Sequence, residues 1–190
     1  MLYMIRHGET ALNRSGILQG RSDHPLNEMG IRQAREAGAR LAELGVRFDR
    51  VFTSPLRRAV QTAELAAPGV SLVRDQRLIE MDYGPYEGTD LNAPPPEVTA
   101  FFRDFSHTPA PDGMEPLSDI VKRTGAFLED IRGLSGNILI SVHAISMKGM
   151  LEYLTPSSHG SCWSEYIGNC TVYRAENEDG VYGNPEAFLS

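Results

Sequence analysis

Residues 137–143 read NILISVH, and within that stretch Ile138 to Val142 is apolar except for Ser141. The run has strand length and no polar alternation, so it predicts a central strand covered on both faces. Helices on both sides of a parallel sheet are the usual cover for such a strand. The rest of the chain alternates in the same sense. LYMIR (2–6), FDRVFTS (48–54), VSLVRD (70–75), RLIE (77–80) and NCTVYRA (169–175) have strand character, and GVYG (180–183) fits a final strand or hairpin. Between them, Ile31, Ala34, Gly38, Leu41 and Leu44 recur at helical spacing, with Asn27 as N-cap and Gly45 as stop. A second helix starts at Ser54-Pro55, and a third spans 117–133 with Ile120, Val121, Phe127, Leu128 and Ile131 on one face. AISMKGMLEYL (144–154) is the fourth. The expected fold is a three-layer α/β/α sandwich with a mostly parallel central sheet.

Length suits a single domain over residues 1–190. Residues 81–116 stand apart: Pro85, Pro94, Pro95, Pro96, Pro109, Pro111 and Pro116 break any long element, with a short helix expected around EVTAFFRDF. This Pro-rich loop region is expected to cover a substrate. Acidic residues outnumber basic ones by 25 to 18, a formal charge of −7, which argues against nucleic-acid and membrane surfaces as partners. No apolar run approaches membrane-spanning length. Cys162 and Cys170 lack metal-motif neighbours and are expected as reduced thiols in a cytoplasmic protein. A homodimer is compatible with the sequence.

In open α/β sheets ligands bind beyond the carboxyl ends of the strands. Here those ends carry chemistry. The first strand ends on Arg6-His7, the second on Thr53-Ser54 with Arg57 and Arg58 close behind, RLIE on Glu80, and NILISVH on His143. Any one of these residues alone is ordinary. Together, two imidazoles, several guanidiniums and a carboxyl group suit phosphoryl transfer. Guanidiniums match phosphate oxygens, imidazole is a nucleophile near neutral pH, and a carboxyl group facing a phosphate dianion can protonate a leaving oxygen. Neither a Walker-type loop nor an Asp cluster that would hold Mg²⁺ is present.

IRHGET (5–10), LQGRSDHPLNEMGIRQA (18–34), FTSPLRRAVQTA (52–63), LIEMDYGPYEG (78–88) and ISVHAISMKGML (140–151) resemble, in order, the motifs of the histidine phosphatase superfamily, which includes the cofactor-dependent phosphoglycerate mutases. The resemblance implies a phosphoglycerate mutase-like fold. It implies that His7 is the nucleophile that becomes phosphorylated, that Arg6, Arg58 and His143 bind phosphoryl oxygens, and that Glu80 is general acid and then base. Asn13, Gln19 and Gly20 match positions lining the phosphate pocket, Ala144 offers a backbone amide to it, and Gly8 allows a tight turn beside the nucleophile. Arg57 is expected at the rim or in solvent.

The chain departs from the family pattern in places. Ala144 replaces a usual glycine, which would be strained if the position needs positive φ. Pro116 replaces a serine and is expected at the first helical position. Met81 and Asp82 stand where mutases carry basic residues, and Asp82 is placed to face Glu80. Residues 81–116 hold seven acids against Arg103 and His107, so polyanionic substrates are expected to be disfavoured. Tyr83, Tyr86, Phe101, Phe102 and Phe105 are candidates for a leaving-group site. The expected activity is metal- and cofactor-independent hydrolysis of small phosphomonoesters. The alternatives are a mutase, a non-catalytic phosphoester-binding module, and a metallohydrolase built on His7, His24, His143 and Glu80.

Overall fold

The computed structural model describes residues Met1–Ser190. A six-stranded sheet runs through it in the order β3-β2-β4-β1-β5-β8, built from β1 (Leu2–Arg6), β2 (Arg50–Thr53), β3 (Leu72–Arg74), β4 (Ile138–Val142), β5 (Val172–Ala175) and β8 (Glu186–Leu189). β3, β2, β4 and β1 pair in parallel, while β5 is antiparallel to both β1 and β8. A two-stranded ribbon, β6 (Asn177–Glu178) and β7 (Val181–Tyr182), precedes β8.

Period-two alternation sorts the sheet's side chains into two cores. Leu2 and Met4 of β1, with Ile138, Ile140 and Val142 of β4, pack against α5 (Leu117–Ile131) and α6 (Ala144–Leu154). Tyr3 and Ile5, with Leu139 and Val51, pack against α2 (Glu28–Glu43) and α3 (Arg57–Ala66). This is the expected three-layer sandwich. Every β4 residue is buried, and each large apolar side chain so buried is worth about 1.5–3 kcal/mol. A third cluster lies beyond the sheet, where α4 (Pro96–Arg103) seats Val98 and Phe101 against Leu18, Met81, Tyr83, Ile120, Ile145 and Trp163. α1 (Ala11–Ser15) is a short turn of helix between β1 and that cluster.

Asn27 caps α2 as expected, its Oδ1 accepting from Gly30 N at 2.8 Å, but the helix ends at Glu43, and Leu44 is exposed. Three local expectations are corrected, and one strand is new. RLIE is not a strand: Gln76–Leu78 form a 3₁₀ turn capped by Asp75, so Glu80 sits on an extended connection, not at a strand end. Asp75 holds Arg77 through both its backbone N–H and its guanidinium, and this local pairing wins over strand pairing. α3 begins at Arg57 with Leu56 as N-cap and no side-chain cap; Ser54 Oγ instead accepts from Leu56 N at 3.3 Å and pairs with His143 Nε2. Pro116 is the N-cap of α5, one position before the first helical residue. The last strand, β8, was not foreseen from its half-exposed sequence EAFL.

Candidate active site

The parallel ladder brings the site residues together. Arg6 is in register with Val142, and Thr53 with Ser141. Pairing continues one residue further: His7 N donates to Val142 O at 2.9 Å, and Ser54 N to Ser141 O at 3.0 Å. His7, Ser54 and His143 therefore leave the sheet side by side, and the two imidazole centroids lie 5.1 Å apart.

His7 is buried, and its Nδ1 lies 2.7 Å from the Gly8 carbonyl oxygen, so Nδ1 carries the proton and donates it. Nε2 keeps its lone pair. Burial, then the charges of Arg58 and Arg6, push the His7 pKa well below 6.5. Gly8 does not need positive φ. Its hydrogen is needed because a Cβ there would lie 2.5 Å from Gly30 O.

Glu80 is anchored by three backbone amides. Its Oε1 accepts from Met81 N (2.9 Å) and Ser146 N (3.0 Å), and its Oε2 from Ile145 N (3.2 Å), in the first turn of α6. Oε2 carries the single, longest bond, which leaves it the freer oxygen for proton exchange. Asp82 does not face Glu80; it pairs with Arg21 at 2.9 Å.

Arg58 is completely buried. Its Nε donates to His143 Nδ1 (3.1 Å), and its terminal nitrogens to Ser22 O (2.8 Å) and Gly20 O (2.6 Å). Burial pulls it down to about 10, against the opposing fields of Glu80, Glu87 and Asp23, so it stays charged at neutral pH. His143 Nε2 donates to Ser54 Oγ at 2.7 Å, and burial followed by the Arg58 charge keeps the His143 pKa well below 6.5. Both His143 nitrogens thus have protein partners. Arg57 is exposed, as expected.

A cavity of about 470 Å³ opens in front of His7 and is lined by Arg6, Asn13, Gln19, Glu80, Ala144 and Lys148, among others. Two buried donors on these residues, Arg6 Nε and Gln19 Nε2, have no protein acceptor. Gln19 is held by Thr10 Oγ1, which donates to its Oε1 at 2.7 Å, and Asn13 Oδ1 accepts from Thr10 N at 3.2 Å. Ala144 is the first residue of α6, has no positive φ and is unstrained. Its N–H has no acceptor within the helix.

Other expectations shift. Gly20 does not reach the cavity: its amide is taken by the Glu87 carboxylate at 2.9 and 3.0 Å, and a Cβ there would strike Met81 O. Tyr83, Phe102 and Phe105 line the cavity, whereas Phe101 is core and Tyr86 bonds Glu97. The acids of residues 81–116 stay out of the wall. Its charged residues are Arg6, Arg103 and Lys148 against Glu80 and Glu165, so the expected bias against anions is lost. Lys148 and the wall from Trp163 to Ile167 escaped the sequence reading. The signal for Lys148 was a lone cation in the apolar helix AISMKGMLEYL. No group of three or more His, Cys, Asp or Glu side chains is arranged to hold a metal ion, so His24 does not join His7, His143 and Glu80 in a metal centre.

A fold that sets His7, Arg6 and Glu80 on one cavity, with His143 and Arg58 buried beside His7 and outside its wall, defines a class of phosphoryl-transfer protein. Residues 2–183 match the histidine phosphatase superfamily (branch 1), and the chain belongs to that family. It is 30% identical over 177 residues, covering 90% of this chain and 86% of the relative, to a putative phosphoserine phosphatase 2 of Hydrogenobacter thermophilus. It is 34% identical to a 2,3-bisphosphoglycerate-dependent phosphoglycerate mutase of Rhizobium meliloti, with 80% of this chain and 78% of that one covered. A phosphoserine phosphatase of Entamoeba histolytica, solved with 3-phosphoglyceric acid, superposes with a TM-score of 0.81 at 26% identity over 100% of this chain and 96% of its own.

Proposed function

We propose that this protein is a phosphatase that hydrolyses small phosphomonoesters through a phosphohistidine on His7. The observation that carries this reading is the joint placement, on one cavity, of an unprotonated His7 Nε2, the Glu80 carboxyl and the unpartnered donors Arg6 Nε and Gln19 Nε2. The His7 Nε2 lone pair attacks phosphorus in line. The bond to the leaving oxygen breaks, and Glu80 gives that oxygen its proton. Water then attacks phosphorus and passes a proton to Glu80, and the P–N bond breaks to return the lone pair to Nε2.

Arg6, Asn13, Gln19 and the Ala144 amide hold the phosphoryl oxygens directly. Arg58 has used three of its five N–H groups on protein acceptors and offers the remainder. His143 meets the phosphoryl group only by exchanging its bond to Ser54. This positive wall performs the charge stabilisation that a metal ion supplies elsewhere. Residues 81–116, through Tyr83, Leu91, Phe102, Arg103 and Phe105, cover the leaving group.

The experiment is a panel of phosphomonoesters assayed with chelator present. Wild type releases phosphate, and His7→Ala loses about 10³-fold or more. Full activity in His7→Ala refutes the reading. A mutase is the second reading, favoured by the 34% identical relative. It requires a second anion to be gripped after the chemistry; Met81 and Asp82 offer no cation for that, which leaves Arg103 and Lys148 of the wall to hold it. Interconversion of phosphoglycerate isomers with a bisphosphate primer would establish it.

A further inference from the structure

Lys148 is 8% exposed, yet no carboxylate lies within ion-pairing distance of it. Its Nζ donates once, to Trp163 O at 2.7 Å, and stands 4.9 Å from the centroid of the Phe105 ring. An ammonium has three donors, so two remain. Burying such a charge without a counter-ion is costly, and a methionine or leucine would fill this space in α6 more cheaply. The residue lines the same cavity as His7 and Glu80.

Its position has a direction. Ala144, Ile145 and Lys148 form the cavity face of α6, and Ala144 and Lys148 are one turn apart, about 6 Å along the axis. The Lys148 ammonium is held over Phe105 and on the Trp163 carbonyl, so it sits at the part of the cavity wall made by those two residues. The same wall carries the aromatic side chains of Tyr83, Phe102 and Phe105.

We propose that Lys148 is a specificity-determining residue that receives a carboxylate carried on the leaving group. The substrates are then phosphomonoesters of short hydroxy acids, with phosphate at His7 and carboxylate at Lys148. The inference rests on the phosphatase reading and adds a second anion subsite to it. Burial lowers the free Lys148 to about 8, with Glu80 and Glu165 opposing and Arg6 reinforcing. A bound carboxylate replaces the missing counter-ion.

The test uses two matched pairs of esters: 3-phosphoglycerate against glycerol 3-phosphate, and O-phosphoserine against O-phosphoethanolamine. In each pair only the carboxylate is lost. Wild type is expected to favour the acid in at least one pair, and Lys148→Met to erase that preference. The acid member then loses about 30-fold more in kcat/KM than its partner, chiefly through KM. Lys148→Arg, which keeps the charge, restores the greater part. Wild type with no preference in either pair overturns the proposal. So does an equal loss on both members in Lys148→Met, which would assign Lys148 to the phosphoryl group or to anchoring Trp163. Phenyl phosphate separates the two levels. Turnover of phenyl phosphate without acid preference refutes this inference alone, and no turnover of any ester refutes the underlying reading as well.

Discussion

His7 holds its proton on Nδ1 because the Gly8 carbonyl lies 2.7 Å away, and its low pKa keeps Nε2 free at neutral pH. Glu80 is as tightly fixed, by amides of Met81, Ile145 and Ser146. Glu80→Gln keeps an acceptor for these amides on one side but turns an NH₂ group toward the other. The amide cannot deliver a proton to an alkoxide. We expect alkyl esters to slow by about 10²–10⁴-fold, with a much smaller loss in the phosphorylation step for aryl esters, whose leaving groups need no acid. Equal single-turnover losses on both would contradict the role of Glu80. At this scale the sequence was most informative where a motif fixed both residue and order: His7, Arg6, Asn13, Gln19, Glu80 and Ala144 do share one cavity. It was silent where partners are set by tertiary contacts. Nothing local says that the Gly20 amide goes to Glu87, or that Asp82 goes to Arg21.

The elements position these groups by close backbone approach. α2 enters against the loop after His7, and a Cβ on Gly30 would lie 2.1 Å from the Glu9 carbonyl oxygen. Backbone cannot yield as a flexible side chain does. Gly30→Ala is expected to destabilise the fold by about 1–3 kcal/mol and to lower kcat by displacing the segment that carries His7. Gly133→Ala is the control, since a Cβ there meets nothing within 4 Å and the position has no positive φ. Calorimetric melts of both variants decide the matter, and equal midpoints would contradict this packing account. Hydrophobic patterning predicted α2, α5 and β4 well, because burial on one face or on both is written directly into spacing. It failed at RLIE, where Asp75 and Arg77 close a local turn, and at β8, whose burial depends on β5 and not on its own composition.

For the whole molecule, the site is a store of buried neutral imidazole. His7 and His143 both have folded pKa values well below 6.5. On acidification the unfolded chain therefore takes up protons first. Stability is fully present above about 6.5, the unfolded value, and is lost as pH falls below it toward the folded values. Melting midpoints measured from pH 7.5 to 5 should fall. The fall should be shallower in His7→Asn, whose amide can still donate to Gly8 O. Identical slopes in the two proteins would contradict the burial argument. The two-core sandwich was legible from the alternation of elements. The cavity's charge was not, because Lys148 and Arg103 reach the wall from separate elements while the abundant acids of residues 81–116 face away. The most direct test of the central claim is to quench the Glu80→Gln variant after mixing it with radiolabelled phenyl phosphate, and to map the label. The account predicts an acid-labile, alkali-stable phosphoryl group on the peptide containing His7, absent from His7→Ala. Phosphate release with no label on His7 at any time would contradict it.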